Sequence, residues 1–192
     1  MLTDKKVIEC VPNFSEGRNL DIIDKIASAV KSTQNVKLLN VEPDKDYNRT
    51  VITFAGEPSG VKEAAFNAIS TASELIDMSR QKGEHPRIGA TDVCPIIPVA
   101  NATREECVKL ADELGSEVGE KLGIPVYLYE DAARSEERRN LENIRKGEYE
   151  GLEQKLRDWV PDYGPAEYND KVRKSGATVI GARFFLIAYN VN

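Results

Sequence analysis

Val36-Lys37-Leu38-Leu39-Asn40-Val41 reads as a strand, and Glu42-Pro43-Asp44-Lys45-Asp46-Tyr47-Asn48 as a corner dense in turn formers and charge. Arg49-Thr50-Val51-Ile52-Thr53-Phe54-Ala55 reads as a returning strand. What flanks this pair decides the fold. Upstream, Val7–Val11 reads as a strand stopped by Pro12-Asn13, and Asn19 is placed to cap a helix with Ile22, Ile23, Ile26, Ala27 and Val30 on one face. Downstream, Ser59 is placed to cap a long helix carrying Val61, Ala65, Ala68, Ala72, Leu75 and Ile76, and Asp92–Val99 is apolar and β-like. Pro95 and Pro98 confine that last segment to an edge or a bulge, because proline cannot donate to a ladder.

β-α-β-β-α-β is the ferredoxin-like order of elements. Beyond it, Thr103-Arg104-Glu105-Glu106 reads as a capping box opening a helix with Cys107, Leu110, Ala111, Leu114, Val118 and Leu122. Pro125–Tyr129 is a short strand, Ser135–Arg157 a helical region broken near Gly147, and Trp159–Ser175 irregular. Val179–Val191 is nearly continuous apolar sequence, as in a strand buried on both faces. The expectation is an α+β fold: a ferredoxin-like α/β sandwich, one domain over 1–192, with a mixed sheet of about six strands and helices on one face. A chain that stops beside its most apolar strand suggests a partner surface or second domain there.

The 192 residues suffice for one real core, with 41% apolar and 30% charged residues. A net charge of -6 argues against a nucleic-acid partner, although a locally basic pocket still allows an anionic ligand. No apolar stretch has transmembrane length, so no membrane partner is expected. Three cysteines without zinc spacing suggest reduced thiols and a cytoplasmic protein, with no metal expected.

His85 is the only histidine and sits in Gly83-Glu84-His85-Pro86-Arg87. Its ordinary pKa lies near neutrality, and Pro86 restrains its backbone. Lys82, Arg87 and Arg80 are close enough in sequence to attract an anion. The plain alternative, a solvent-exposed loop histidine, is favoured about two to one on residue type alone. Asp44, Asp46, Asn48 and Arg49 form a second polar group, with Arg49 able to clamp a carboxylate and a solvated turn as the equal alternative. Cys94 is a candidate nucleophile beside His85, but a small buried hydrophobe is the better reading. Asp162-Tyr163-Gly164-Pro165 and Ser175-Gly176-Ala177-Thr178 frame a loop whose glycines allow close backbone approach to a ligand. Arg183 follows Gly181-Ala182 in a buried strand, where a charge needs a partner.

Glu9-Cys10-Val11-Pro12-Asn13-Phe14-Ser15-Glu16-Gly17, Asn48-Arg49-Thr50-Val51, Gly83–Ala90, Asp92-Val93-Cys94-Pro95, Pro125–Tyr129, Arg145-Lys146-Gly147-Glu148-Tyr149-Glu150, and Gly181-Ala182-Arg183 with Leu186–Asn190 resemble the glutamate formiminotransferases. In animals these form the transferase part of formiminotransferase-cyclodeaminase. The resemblance runs in order along nearly the whole chain. It implies transfer of a formimino group between N-formiminoglutamate and tetrahydrofolate, the co-substrate, in histidine breakdown. It gives His85 the catalytic role and Gly164–Gly176 the folate contact. Asp44, Asn48, Arg49, Lys82, Glu84, Arg87, Gly164, Pro165, Ser175, Gly176 and Arg183 are the expected substrate-binding residues. Glu84 or Asp44 is expected to orient His85.

Some relatives have a second histidine where this chain has Gln81. The resemblance covers the N-terminal subdomain only, without the C-terminal subdomain that would follow Asn192; the expected partner is a homodimer copy or a separate chain that carries that subdomain. The other reading is a non-catalytic folate-binding or interaction module that needs that second subdomain for activity.

Overall fold

The computed structural model describes residues 5–185. The hairpin read from the sequence forms as β3 (Val36–Asp44) and β4 (Arg49–Gly56), paired antiparallel. The first strand is shorter than expected. β1 (Val7–Cys10) stops before Pro12, and β2 (Asn13–Phe14) resumes the same line, each lying between β4 and β5 (Thr91–Ala100). The order β3-β4-β1-β5 is the ferredoxin-like arrangement. β7 (Thr178–Ala182) then pairs parallel with β5, and β6 (Val126–Glu130) parallel with β7. The seven strands fill six positions because β2 continues β1.

Of the two alternatives for β5, an edge or a bulge, the second holds: the strand is central. Its prolines are tolerated because each meets an irregularity. The Pro95 carbonyl accepts from the Val11 amide in the gap between β1 and β2. Pro98 faces Ile8, where the register shifts. At both places the missing N–H interrupts a ladder that is already broken.

Helix α1 (Leu20–Lys31) starts at Asn19, whose side chain accepts from the Asp21 and Ile22 amides. Helix α2 (Pro58–Leu75) starts earlier than expected: Glu57 is its cap and Pro58 its first residue, where a missing N–H costs nothing. Helix α3 (Arg104–Glu117) has the expected capping box of Thr103 and Glu106. It runs on as a π-helical turn, Val118–Leu122, ended by Gly123 at φ +58°.

Along β4 the burial alternates: Thr50, Ile52 and Phe54 are buried, while Arg49, Val51 and Thr53 are only partly so. Ile52 and Phe54 belong to the one core formed with α1, α2 and α3, while the Thr50 hydroxyl donates to the Glu16 carbonyl. Full burial of each Ile or Phe there contributes roughly 1.5–3 kcal/mol. Across the sheet, Leu128 lies against Gly115 of α3, so Tyr127 and Tyr129 point to the opposite face. There Arg138 stacks over Tyr127 and Trp159, and the Tyr127 hydroxyl donates to the Trp159 carbonyl.

The helical region after β6 is three pieces, α4 (Glu136–Arg139), α5 (Leu141–Arg145) and α6 (Leu152–Asp158). The break falls at Gly147 as expected, at φ +86°, with a second at Asn140. The segment read as irregular holds a short helix, α7 (Asp170–Ser175), capped by Asn169. β7 ends at Ala182, and the expected continuation beyond residue 185 lies outside the described residues.

Gly176 follows α7 at φ +67° and bridges to Gly89. A Cβ there would meet the Ile88 carbonyl oxygen at 2.3 Å and the Gly89 Cα at 2.5 Å. Gly176→Ala is therefore expected to cost at least the roughly 1–3 kcal/mol of a strained backbone position, read as a lower urea midpoint.

Candidate active site

β4, β5 and β7 run in one direction, so Arg49, Thr91 and Thr178 start their strands at one edge of the sheet. β2 and β3 run the other way and end there, at Phe14 and Asp44. Residues 76–90 join α2 to β5 across that edge and carry His85.

Nε2 of His85 lies 2.8 Å from Nη1 of Arg49, and Tyr47 meets the ring edge-on at 6.4 Å between centroids. Guanidinium only donates, so Nε2 must hold a lone pair and the ring proton sits on Nδ1. Burial first, then Arg49 and Arg145, push the His85 pKa down to about 4; a hydrogen bond to the Pro86 backbone opposes them and Arg87 adds to them. The histidine is thus neutral at pH 7. Among the described residues, no carboxylate reaches salt-bridge distance of Arg49, and burial followed by Arg145 lowers its pKa.

Asp92 lines one cavity with Tyr47, Arg49 and His85. Asn13 pairs with Val93 and Phe14 with Thr91, so Asp92 is an extra residue, a β-bulge. A bulge re-aims side chains without ending the strand. The buried Asp92 carboxylate accepts from the Ile88 amide at 3.0 Å and pairs with Arg145 of α5. Burial raises its pKa and Arg145 pulls it back.

The segment after α5 is fastened to the histidine segment. Arg87 donates to Glu148 at 2.9 Å, to Glu150 at 2.8 and 3.0 Å, and to the Gln81 carbonyl. The Tyr149 amide donates to the Arg87 carbonyl at 2.8 Å. Arg87 is thus committed to glutamates of its own chain, where the sequence suggested a ligand carboxylate.

Asn48, at φ +50°, joins three segments. Its Oδ1 accepts from the Gly17 amide at 2.9 Å, and its Nδ2 donates to the Gln81 side chain and to the Lys82 carbonyl. Gln81 in turn donates to buried Glu16 at 2.9 Å, whose other oxygen accepts from the Arg18 and Asn19 amides. An amide neither gains nor loses a proton near neutral pH, so Gln81 positions the segment and does not act as an acid or a base. Glu16, Gln81, Asp92 and Arg145 were not among the expected binding residues, because what marks them is packing between distant segments. The one signal in the sequence was that all four lie in or beside the motifs shared with the formiminotransferases.

The remaining expected residues divide. Asp44 caps its own corner, accepting from the Asp46 and Tyr47 amides, and it is Arg49 that bonds His85 in place of Asp44 or Glu84. Lys82 and Glu84 are exposed on the rim. Ser175 and Gly176 support the histidine segment directly: the Ser175 carbonyl accepts from Ala90 at 2.7 Å, and the Ile88 carbonyl accepts from Ala177. Gly164, at φ +81°, and its neighbour Pro165 lie further along this edge, where Gly164 packs on Ile124 at the approach to β6. Arg183 follows the far end of β7, roughly 16 Å from the edge at the usual strand rise. Cys94 lies in the core, 3.5 Å from Cys10, and not beside His85. Among the described residues, no group of three or more His, Cys, Asp or Glu side chains is placed to hold a metal ion.

Two outcomes follow from this arrangement. An NMR titration of the sole imidazole is expected to have its midpoint near pH 4. The unfolded ring protonates near 6.5 and the folded ring near 4, so the unfolded state holds the extra proton between them. The His85 contribution to stability is therefore complete above pH 6.5 and is lost as pH falls toward 4. The difference between wild type and His85→Gln in denaturation midpoints at pH 7 and pH 5 isolates it. Separately, Arg145→Met leaves the buried Asp92 unpaired and is expected to cost about 3–5 kcal/mol in urea unfolding.

Known proteins contain a similar chain. A formimidoyltransferase-cyclodeaminase of Gallus gallus is 54% identical over 97% of this chain and 34% of its own length. Glutamate formimidoyltransferases of Thermoplasma acidophilum and Streptococcus pyogenes serotype M1 are 50% and 46% identical over 97% of this chain, and over 61% and 62% of theirs. The chain thus spans about a third of the longer relatives' length and about three-fifths of the shorter ones'. Residues 7–183 match the formiminotransferase domain, N-terminal subdomain, and the chain belongs to that family.

Proposed function

We propose that this chain provides the His85 side of an active site that moves a formimino group between N-formiminoglutamate and tetrahydrofolate in cytoplasmic histidine breakdown. The observation that carries this reading is the neutral His85 imidazole held 2.8 Å from Arg49, a guanidinium with no carboxylate partner among the described residues. One group handles a proton and the other attracts a carboxylate, which is what an acidic amidine substrate requires. The relatives named glutamate formimidoyltransferase support it. All three cysteines are free and buried, in keeping with a reducing compartment. Among the described residues no helix is long and apolar enough to cross a membrane.

The amine of tetrahydrofolate attacks the formimino carbon, giving a tetrahedral carbon bonded to both nitrogens. The bond to the glutamate nitrogen then breaks. The attacking nitrogen must lose a proton and the leaving nitrogen must gain one. Nε2 of His85 takes the first and returns it to the second. A base with a low pKa binds the proton weakly, so the imidazolium it forms is a strong acid for the departing nitrogen. Arg49 holds a glutamate carboxylate, and fixing both substrates supplies much of the rate. Ser175 and Gly176 pack on Ile88–Ala90, beside the histidine segment, which supports reading the Gly164–Gly176 stretch as the folate contact.

His85→Ala, made in the gene product that contains this chain, is expected to bind tetrahydrofolate normally and to lose about two orders of magnitude in transfer rate. Undiminished transfer refutes the role of His85. Folate binding without transfer by the wild-type protein identifies instead the non-catalytic module.

A further inference from the structure

The contact that places His85 also blocks it. Nε2 carries the lone pair that has to accept a proton, and Arg49 occupies that lone pair at 2.8 Å. A base engaged in this way cannot accept a proton until the guanidinium moves or finds another acceptor.

The surroundings show what would draw Arg49 away. Arg49 enters from β4, half-buried. Charged residues around His85 come from three other places: Arg145 from α5, Arg87 and the exposed Lys82 from its own segment, and Asp92 from the bulge in β5. Arg145 is paired with Asp92, and Arg87 with Glu148 and Glu150. Asp44 and Glu42 on β3 act on Arg49 only at a distance. Arg49 is therefore the cation here whose hydrogen-bond acceptor is neutral, and an ionised carboxylate is a stronger acceptor than an imidazole.

We propose that Arg49 is a lock on His85 that a substrate carboxylate opens. The carboxylate takes the guanidinium's donors, Nε2 is released, and the histidine becomes a competent base only when the acidic substrate is in place. The inference rests on the formiminoglutamate reading of the site and adds a coupling to it: the group that recognises the substrate is the group that restrains the catalyst. Two effects act together on the ring. The hydrogen bond that favours its unprotonated form is lost, and the nearest positive charge is neutralised, so its proton affinity rises. This also gives a reason for the depressed resting pKa, since an unliganded site holds a masked base.

The test uses the sole histidine as its own reporter. The His85 ring is titrated by NMR in the full chain, without and with saturating L-glutamate, at ionic strength matched with sodium chloride so that general screening is subtracted. The expected result is an upward shift of at least about one pH unit, a tenfold gain in proton affinity, with glutamate. Arg49→Met is expected to show the raised pKa without glutamate and no further response to it. A His85 pKa that glutamate leaves unmoved in the wild type overturns the proposal, whether or not the variant folds. So does a folded Arg49→Met protein that titrates like wild type. Formimino transfer is measured separately, so failure of the lock and failure of the transferase reading are distinct results.

Discussion

The buried Asp92 carboxylate accepts from the Ile88 amide and pairs with Arg145, and the site is arranged around that pair. Asp92 is there because β5 has one residue more than β2 opposite it. Without the bulge, strand alternation would decide on its own where each side chain points. The carboxylate then draws α5 in through Arg145, and the segment after α5 closes on Arg87 through Glu148, Glu150 and the Tyr149 amide. The ion pair thus joins a strand and a helix whose paired residues are 53 apart in sequence, and the histidine segment is held beside it by the contacts of Arg87, Gln81 and Ala90.

The same arrangement resolves a mismatch of charge. The protein is acidic, with a net charge of -6, and its proposed substrate is acidic too. Arg49, Arg87 and Arg145 all act on His85, but two of them are matched by carboxylates of the chain. The local field is positive where His85 lies, whatever the overall charge. Burial first, and then this field, keep the imidazole neutral, and the pairing leaves one guanidinium for a ligand. Recognition and base strength are set by the same cations, so the site cannot change one without changing the other.

Much of the fold was legible. The paired strands over 36–55 between two amphipathic helices gave the ferredoxin-like order, and Asn19 and the Thr103–Glu106 box marked two helix starts correctly. Three features were not. The prolines of β5 left an edge and a bulge both open, because the irregularities they meet belong to β1 and β2 and are invisible in β5 itself. α7 has only six residues, too few for helical periodicity to register. Glu16 and Asp92 take backbone amides from nearby residues, but the side chains that pair with them, Gln81 and Arg145, come from segments 65 and 53 residues away, which no local pattern encodes. For the site, His85 and Arg49 were legible as types. Their contact was not, since 36 residues and a sheet edge separate them. The roles expected of Asp44 and Glu84 went to Arg49 for the same reason: proximity in sequence around a histidine says little about which strand start faces its ring.

The central claim is that His85 rests as a neutral ring with its proton on Nδ1 and its Nε2 lone pair turned to Arg49. Nitrogen-15 NMR of the imidazole at pH 7 reads this directly, with one histidine and no ambiguity of assignment. The account predicts a protonated Nδ1 and an unprotonated, hydrogen-bonded Nε2. A proton on Nε2, whether as the other neutral tautomer or as imidazolium, would contradict it.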